Sequence, residues 1–485
     1  MHISINQLVM NFELTGFRLG GVAAVCVFCA TACTMKPEST PNTRHAIVAS
    51  AAPAVLPAAV KEQLDAELRA VVTDPRYPLA SLATLVVRGG HVAYAGQLGY
   101  KFINSAAPEK NIAANADTMY RIASISKLIT TLGVMRLVEE GKLALDVDVN
   151  TYLGWPLRNP DFPDVAITLR LLLTHRASIT DEAGYFWEDK LNVNLKDVFT
   201  PGGSRYGKGE MWAKNAKPGD YFSYGNLNWG VIGTVMERAS AERFDRLLKR
   251  VLFAPLGIRG GFNPADMSAA DVARIATLYR KRTAVNGKEI WNPGGPWVAQ
   301  VDDYSAAAPV SRAGPNYVVG TNGTLFGPQG ACRLSASDLG RVMLMLMNEG
   351  VYDGNRVLAA ASVREMLREQ WRADTNGSGK NGDVNSGGGK QLMNAWGLGN
   401  QHFLDISGSA RGDRLLAAGG FKAVGHLGDA WGLTSAMVFD PATKNGMIFL
   451  SGGPGFDPQS TPGNYSALHH YEERILSALH AHVLR

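Results

Sequence analysis

The sequence predicts an α+β fold in which an antiparallel sheet is flanked by helices, with a second, mainly helical lobe. Runs of β type occur near both ends of the 485-residue chain, and the segment between them has mostly helical periodicity. The simplest architecture joins both ends of the chain in one sheet, because strands with an apolar face need a shared core. A cleft between two lobes is the usual place for a binding site.

Composition indicates a large globular core and argues against several functional classes. The chain is 46% hydrophobic and 19% charged, as is ordinary for a globular protein of this length. Its formal net charge is +5, but the basic residues form no block, so no nucleic-acid partner is expected. Three of the four cysteines lie within the first 33 residues, which leaves only Cys332 for the body and predicts no disulfide framework. The histidines have no spacing typical of a metal site, and neither a metal nor a cofactor is implied.

The first 56 residues are predicted to be a targeting segment and a tether. Arg18 precedes the apolar run LGGVAAVCVFCATAC, which is short for a membrane span and typical of a signal peptide over residues 1–32. The letters ATAC ending at Cys33 are similar to a bacterial lipobox, and ordinary secretory cleavage nearby is an equal alternative. Residues 33–56 are rich in Pro, Ser, Thr and Ala and predict a flexible tether. We therefore expect an exported bacterial protein, either periplasmic or attached to the membrane through a lipidated Cys33.

The body of the chain, residues 57–485, is predicted to form one domain of two lobes. Residues 57–145 and 326–485 would form the α/β lobe, and residues 146–325 would form the mainly helical lobe. A polar, glycine-rich stretch, residues 376–390, predicts a mobile surface loop.

The first part of the α/β lobe has three recognisable elements. The stretch PAAVKEQLDAELRAVV has helical periodicity. Two β-type runs then flank Gly89 and Gly90, which is typical of a hairpin. A helix with an apolar stripe begins near Ser124, and Gly141 is predicted to end it.

The remaining elements follow from caps and alternation. In the helical lobe, Thr168 is a plausible cap of a short helix, and residues 226–258 predict two helices. In the second part of the α/β lobe, a capping box at Ser335 opens another helix. Residues 423–453 contain three short β-type runs that predict an antiparallel meander. The chain closes with a helix over residues 467–484, whose polar residues look like a solvated face: His469, His470, Glu472 and Glu473.

A serine and a lysine at the start of the second helix could carry chemistry. Ser124 and Lys127 lie one helical turn apart, so their side chains can meet. A serine hydroxyl needs a neighbouring base to act as a nucleophile, and a lysine can serve if burial or positive charge lowers its pKa. A helix N-terminus also favours a developing oxyanion. The alternative is that Ser124 is a simple N-cap and Lys127 a solvated side chain.

Two further groups of residues that could carry chemistry follow Ser124 and Lys127 along the chain. Tyr224-Gly225-Asn226 is the only Y-x-N among 15 tyrosines. His426-Leu427-Gly428 lies on a strand-like run near the C-terminus. Taken alone, Tyr224 could be a core aromatic residue, Asn226 a helix cap and His426 a core histidine.

Together these elements resemble the serine β-lactamase and penicillin-binding-protein superfamily, and most of all its class C-like branch. That branch includes family VIII esterases, D-Ala-D-Ala carboxypeptidases and D-aminopeptidases. The resemblance extends from VVRGGHVAYAGQLGY through LLTHRASI and PGDYFSYGNLNWGVIG to GHLGDAWG, which is nearly the whole body. It implies a β-lactamase/transpeptidase-like fold. An α/β-hydrolase is disfavoured, because the chain has no G-x-S-x-G.

The resemblance also implies catalytic roles. Ser124 would be the nucleophile, and Lys127 the adjacent base or proton shuttle. Tyr224 would pass protons to the leaving group, provided that nearby lysines lower its pKa. The backbone N–H groups of Ser124 and Asp429 would form the oxyanion hole.

Other residues are implied to bind substrate or to support the site. Asn226 would contact Lys127 and the substrate amide or ester, and His426 and Gly428 align with the third motif. Gly428 would keep the strand open to substrate. His175, in LLTHRASI, matches a position that is expected to be structural.

Two departures from the family pattern bear on the substrate. Leu427 replaces a common threonine, and His426 replaces a lysine and is largely neutral at pH 7 unless its pKa is raised. Both weaken recognition of a carboxylate, which favours a neutral ester or amide, or a small peptide. We therefore expect a serine hydrolase that forms a Ser124 acyl-enzyme. The alternatives are a β-lactamase or D-Ala-D-Ala carboxypeptidase proper, and a lipoprotein that binds penicillins or muropeptides without turnover.

Overall fold

A computed structural model describes residues 56–187, 193–286, 288–373, 392–407 and 412–485. The predicted signal peptide, Cys33, nearly all of the predicted tether and the loop at 376–390 lie outside the described residues, so those expectations remain predictions. In the part of the chain that is described, no helix has both the length and the apolar character needed to cross a membrane.

The described residues contain both helices and strands throughout. The helices are α1 (Ala58–Val72), α2 (Ile125–Glu139), α3 (Asn150–Leu153), α4 (Leu169–Leu173), α5 (Leu195–Phe199), α6 (Leu227–Ser240), α7 (Phe244–Leu248), α8 (Ala269–Val272), α9 (Ala336–Met347), α10 (Ala360–Leu367) and α11 (His470–Leu479). The strands are β1 (Ser81–Arg88), β2 (His91–Phe102), β3 (Ile112–Ala113), β4 (Met119–Arg121), β5 (Leu278–Val285), β6 (Lys288–Trp291), β7 (Trp297–Val301), β8 (Arg333–Ser335), β9 (Val351–Tyr352), β10 (Asn355–Arg356), β11 (Trp371–Arg372), β12 (Ala395–Trp396), β13 (Gln401–Phe403), β14 (Ala423–Ala430), β15 (Leu433–Asp440) and β16 (Asn445–Ser451).

One antiparallel sheet joins the two ends of the chain, as the sequence predicts. Its strand order within the described residues is β11-β12-β13-β14-β15-β16-β1-β2-β3. The junction is the pairing of β1 with β16, in which Val86 faces Met447. The predicted hairpin is confirmed between β1 and β2, where Gly89 and Gly90 both have positive φ. The predicted meander is confirmed as β14, β15 and β16.

Helices cover both faces of this sheet, because its strands bury both of their faces. Leu82 and Val86 of β1 belong to the core cluster that contains residues of α1 and α11. Leu85 and Val87 belong to the other cluster, together with residues of α2 and α9. This is the ordinary alternation of a strand whose two faces are both covered. The helix α2 is therefore enclosed between the sheet and the second lobe.

The second lobe departs in one respect from the helical expectation. Helices α3 to α8 occupy its first part, but residues 278–301 form a three-stranded sheet in the order β6-β5-β7. The prediction was wrong there because β5 reads LYRKRTAV, whose basic residues hide the apolar alternation of a strand. The dipeptide Asn286-Gly287 was the available signal, since Asn-Gly between two strands is a strong hairpin marker.

A small ladder fixes the chain just before α2. Strands β4 and β8 pair so that Arg121 lies directly opposite Arg333. Asp302 accepts hydrogen bonds from Arg333 at 2.7 and 3.1 Å, and both residues are buried. Burial alone would raise the pKa of Asp302, but the attraction of Arg333 outweighs it and the pKa is lowered. One buried carboxylate therefore stands beside two opposed arginines.

We predict that Asp302→Asn strongly destabilises the fold. The substitution leaves the buried Arg333, which lies opposite Arg121, without its counter-charge, which should lower the free energy of unfolding by about 3–5 kcal/mol. Urea denaturation followed by far-ultraviolet circular dichroism measures the change. The matched control is Asp303→Asn at the exposed neighbour, expected to shift the free energy by no more than about 0.5 kcal/mol. Equal midpoints for the two variants would contradict the prediction.

Candidate active site

Ser124 stands at the head of α2, on a tight turn that presents its side chain to a cavity. The preceding residue, Ala123, has φ 48°, a left-handed conformation that costs an L-residue roughly 1–2 kcal/mol. Ser124 is the first residue before the helix, but its side chain makes no capping hydrogen bond. It lines a cavity of about 930 Å³ instead. The simple N-cap alternative is therefore wrong.

Lys127 is fully buried, one turn into the helix, so the solvated alternative is also wrong. Its Nζ lies 3.0 Å from Ser124 Oγ, 2.7 Å from Asn226 Oδ1 and 3.2 Å from the Gln329 carbonyl oxygen. Burial lowers the pKa of Lys127 to about 7, and the charge of Asp181 acts in the opposite direction. A neutral amine can donate its two hydrogens to the two carbonyl-type oxygens and turn its lone pair toward the serine hydroxyl.

Asn226 is held in place by a residue that the sequence analysis missed. Asp181 Oδ2 accepts hydrogen bonds from the backbone and side-chain nitrogens of Asn226, both at 2.8 Å. Asp181 Oδ1 accepts from the Leu227 N–H at 2.8 Å, so this carboxylate caps α6. Asn226 itself makes no side-chain cap, which rules out that alternative. With its amide nitrogen fixed, its Oδ1 must face Lys127.

Tyr224 lies against Lys127 and the nucleophile. The Nζ atom of Lys127 is 4.8 Å from the centre of the tyrosine ring. Burial raises the pKa of the Tyr224 hydroxyl, and an opposing hydrogen bond with the Ser124 side chain is too weak to reverse the shift. The expectation that nearby lysines lower this pKa is therefore wrong. The phenol stays protonated at neutral pH and can donate a proton but not start as a base.

His426 lies on β14 with its side chain buried next to the site. Burial lowers the pKa of His426 to about 3, and the charge of Lys127 acts in the same direction. Its Nδ1 is 2.5 Å from the Leu427 carbonyl oxygen, so Nδ1 carries the proton and Nε2 is left as an acceptor. His426 supplies no positive charge at neutral pH.

Gly428 allows a close approach between two parts of the chain. A Cβ atom there would lie 2.3 Å from Ser435 Oγ, 2.7 Å from the Ile122 carbonyl oxygen and 3.1 Å from the Ala123 Cβ. The glycine therefore lets β14 approach the turn before the nucleophile closely, which brings the next residue, Asp429, toward Ser124. Its absent side chain makes room for the chain itself, and a role in keeping the strand open to substrate stays a prediction.

The cavity reaches beyond Asp429 to the start of α11, which corrects the prediction for the last helix. His469, Glu472 and Glu473 are buried there instead of forming a solvated face. His469 and Glu472 line the cavity, and Glu472 accepts a hydrogen bond from the His469 N–H at 2.8 Å in a capping box. The carboxyl group of Asp429 opens to the same cavity and its pKa is raised by burial, with Arg280 opposing.

His175 has the contacts of a packing residue, as expected. Its Nδ1 accepts a hydrogen bond from the Gly225 N–H at 3.0 Å, which fixes the loop that carries Tyr224. Its ring centre lies 4.4 Å from that of Tyr224 and 4.8 Å from that of Trp229. Burial and the nearby Lys127 lower its pKa well below the usual range, so it is neutral.

The structure thus brings together Ser124, Lys127, Tyr224, Asn226, His426, Gly428 and Asp429 around one cavity. Cys33 lies outside the described residues. Sequence reasoning missed Asp181 and the Gln329 carbonyl, which hold Asn226 and Lys127, and it missed two other cavity residues, Arg121 and Trp431. Asp181 carried no local signal, because it lies 45 residues before Asn226.

Comparisons with known proteins find similarity to one family along most of the chain. The profile of the Beta-lactamase family matches residues 58–472. Penicillin-binding protein 4* of Bacillus subtilis is 28% identical over 181 residues, which is 36% of this chain and 36% of that protein. Esterase EstB of Burkholderia gladioli is 28% identical over 219 residues, which is 43% of this chain and 53% of that protein. The chain thus matches only about a third to a half of the length of these relatives.

Solved structures extend the likeness over most of the chain. A penicillin-binding-protein homologue from Caulobacter crescentus has a TM-score of 0.56 and 18% identity, covering 89% of this chain and 99% of that one. A D-amino acid amidase from Ochrobactrum anthropi, solved with D-phenylalanine, has a TM-score of 0.54 and 18% identity, covering 86% and 99%. At these identities the likeness establishes the fold. Because the family profile covers the chain from α1 into α11, this chain belongs to the Beta-lactamase family.

Proposed function

We propose that the protein is an exported serine hydrolase that cleaves an ester or amide through a Ser124 acyl-enzyme. The observation that carries the proposal is the 3.0 Å contact between Ser124 Oγ and Lys127 Nζ, an amine whose pKa is lowered to about 7. A buried, nearly neutral amine touching an uncapped serine hydroxyl is the arrangement that nucleophilic catalysis needs. Export is inferred from the signal-peptide pattern of residues 1–32, with Cys33 as the proposed lipid attachment.

Acylation follows from the hydrogen bonds of Lys127. The neutral amine takes the proton of the Ser124 hydroxyl while Oγ bonds to the substrate carbonyl carbon. The carbonyl electron pair moves onto oxygen, where the backbone N–H groups of Ser124 and Asp429 are proposed to stabilise it. When the tetrahedral intermediate collapses, the bond to the leaving group breaks, and the Tyr224 hydroxyl donates the proton that the departing oxygen or nitrogen needs.

Deacylation reverses these proton movements with water as the acceptor. Lys127 returns its proton to Tyr224, which leaves the amine neutral again. Water attacks the acyl carbon as the neutral Lys127 amine accepts its proton, and the bond from the acyl carbon to Ser124 Oγ breaks as Lys127 passes that proton to Oγ and the acid product leaves. Because the pKa of Tyr224 is raised, its anion is short-lived in this scheme.

The substrate class is narrowed by His426. This neutral side chain cannot pair with a carboxylate beside the reacting bond, which favours an ester or unactivated amide over a penicillin or D-Ala-D-Ala peptide. Two relatives by name fit such chemistry, one an esterase and one a D-amino acid amidase. A small-molecule ester, amide or peptide is therefore the proposed partner.

We predict that Ser124→Ala loses turnover of a short-chain p-nitrophenyl ester by at least ~10²-fold, because the nucleophile is absent. Steady-state rates are measured for the body of the chain with this ester and with a chromogenic cephalosporin. The matched control is Ser105→Ala, an exposed serine whose hydroxyl bonds to the Trp297 carbonyl oxygen. Undiminished ester turnover in Ser124→Ala would remove Ser124 as the nucleophile, and dominant cephalosporin turnover would favour a β-lactamase. A stable adduct in intact-mass spectra, without released product, would favour a non-turnover binding protein.

The pH dependence of acylation should report Lys127. Below its pKa of about 7 the ammonium form cannot accept the serine proton, so kcat/KM should rise tenfold per pH unit below that value and level off above it. Rates across pH 5 to 10 with the p-nitrophenyl ester test this expectation. A rising limb only above about pH 9 would point to a tyrosinate base and contradict the assignment.

Asp181 should tune this profile although it does not contact the serine. Its negative charge raises the pKa of Lys127, so Asp181→Asn should move the rising limb to lower pH. The plateau of kcat/KM should also fall by about 10-fold, because Asn226 loses part of its fixed orientation. Asp164→Asn, at an exposed aspartate of the same lobe, is the control and should leave the limb in place. A lower plateau with an unmoved limb would show a purely structural role.

A further inference from the structure

A second polar feature of the cavity lies apart from the reacting groups. Arg121, in β4, is 7% exposed and lines the cavity. Its Nε donates to the Gly330 carbonyl oxygen at 3.2 Å, and within the described residues its guanidinium bonds to no carboxylate. A buried arginine ordinarily pairs with an acidic group, because an isolated buried charge is costly.

Within the described residues, Asp302 attracts Arg121 but is already bound by other groups. Both oxygens of the Asp302 carboxylate bond to Arg333, and Oδ1 also accepts a hydrogen bond from Tyr304. Burial lowers the pKa of Arg121, and Arg333 and Arg312 add to the shift while Asp302 opposes it. The lowered pKa, about 9, is still above neutral, so the guanidinium keeps its positive charge at the cavity.

Trp431 lies against Arg121 at the edge of the cavity. It occupies the two-residue turn between β14 and β15 with φ 59°, followed by Gly432 with φ 95°. Turns of this type favour asparagine or glycine at the first position, so a tryptophan there is strained. Half of its side chain is exposed, and its ring centre lies 5.6 Å from the Arg121 guanidinium carbon.

The positions of Arg121 and Trp431 relative to the reacting bond follow from the order of residues along β14. Gly428 contacts the turn before Ser124, and Trp431 comes three residues later, roughly 10 Å further along an extended strand. His426 and the ring of Tyr224 lie on the opposite side of Gly428, with their ring centres 6.4 Å apart. If Tyr224 serves the leaving group, Arg121 and Trp431 face the acyl group.

We propose that Arg121, with Trp431 against it, binds a carboxylate carried by the acyl group of the substrate, several bonds from the scissile carbonyl. The inference rests on the proposed Ser124 hydrolase and deepens it. A planar guanidinium that lines the cavity suits a planar carboxylate. Neutral His426 cannot attract a carboxylate on its side of Ser124. The proposed carboxylate site at Arg121 lies on the other side of Ser124.

Kinetics with half-esters of dicarboxylic acids test the proposal. The p-nitrophenyl hydrogen esters of succinate, adipate and suberate are compared with the same compounds capped as methyl esters. We expect the free acids of the longer chains to have kcat/KM about 10- to 100-fold above their methyl esters, mainly through KM, with a smaller ratio for succinate. In Arg121→Gln the ratio should fall toward one, and Arg121→Lys should keep part of it. Arg88→Gln, at an exposed arginine of the β1–β2 hairpin, is the control and should keep the full ratio.

A binding measurement separates this inference from the proposed function. Monomethyl adipate and dimethyl adipate are titrated into Ser124→Ala by calorimetry, which requires no turnover. Tighter binding of the monoanion, weakened by Arg121→Gln and by raised salt, supports the subsite even if no ester is hydrolysed. Equal binding of the two compounds, or an acid-to-methyl-ester ratio near one in the wild-type enzyme, overturns it while leaving Ser124 hydrolysis standing. If Arg121→Gln fails to fold, Arg121→Lys and the wild-type ratios still decide.

Discussion

The rest of the site depends on the burial of one amine. Lys127 sits on a helix that is enclosed on all sides, so its Nζ is cut off from water and must find its partners in the protein. Three oxygens meet it, and each comes from a different part of the chain: Ser124 from the turn before α2, Asn226 from the start of α6, and the Gln329 carbonyl from the segment before β8. The same desolvation that makes the ammonium form costly makes the neutral amine a base. The burial of Lys127 is therefore the reason both for its hydrogen-bond partners and for its lowered pKa.

That burial also constrains residues further out. The oxygen of Asn226 can face Lys127 only if its nitrogen is held elsewhere, and Asp181 does this while capping α6. Because Asp181 also raises the pKa of Lys127, it opposes desolvation and sets the balance between the two forms of the amine. The Asp181 carboxylate thus caps α6, orients the Asn226 amide and raises the pKa of Lys127.

Sequence reasoning found what local spacing encodes. The i, i+3 relation of Ser124 and Lys127, the glycine hairpin and the alternating runs of β14 to β16 are short-range patterns, and the structure has them where they were expected. It could not find Asp181 or the isolation of Arg121, since both depend on which distant segments pack together. The pKa of Tyr224 was misjudged for a related reason. Nearby charges can be guessed from motifs, but desolvation by the surrounding protein cannot.

Two residues at the cavity have a strained, left-handed backbone conformation. Ala123 takes a left-handed conformation immediately before the nucleophile, and Trp431 takes one at the cavity rim. Gly428 lies between them on β14 and allows the close approach that joins the two. Neutral His426 lies on one side of that contact and charged Arg121 on the other. An arrangement with strained backbone, a buried arginine that bonds to no carboxylate among the described residues and a half-exposed tryptophan is costly for folding alone. It becomes favourable when a ligand supplies the missing negative charge.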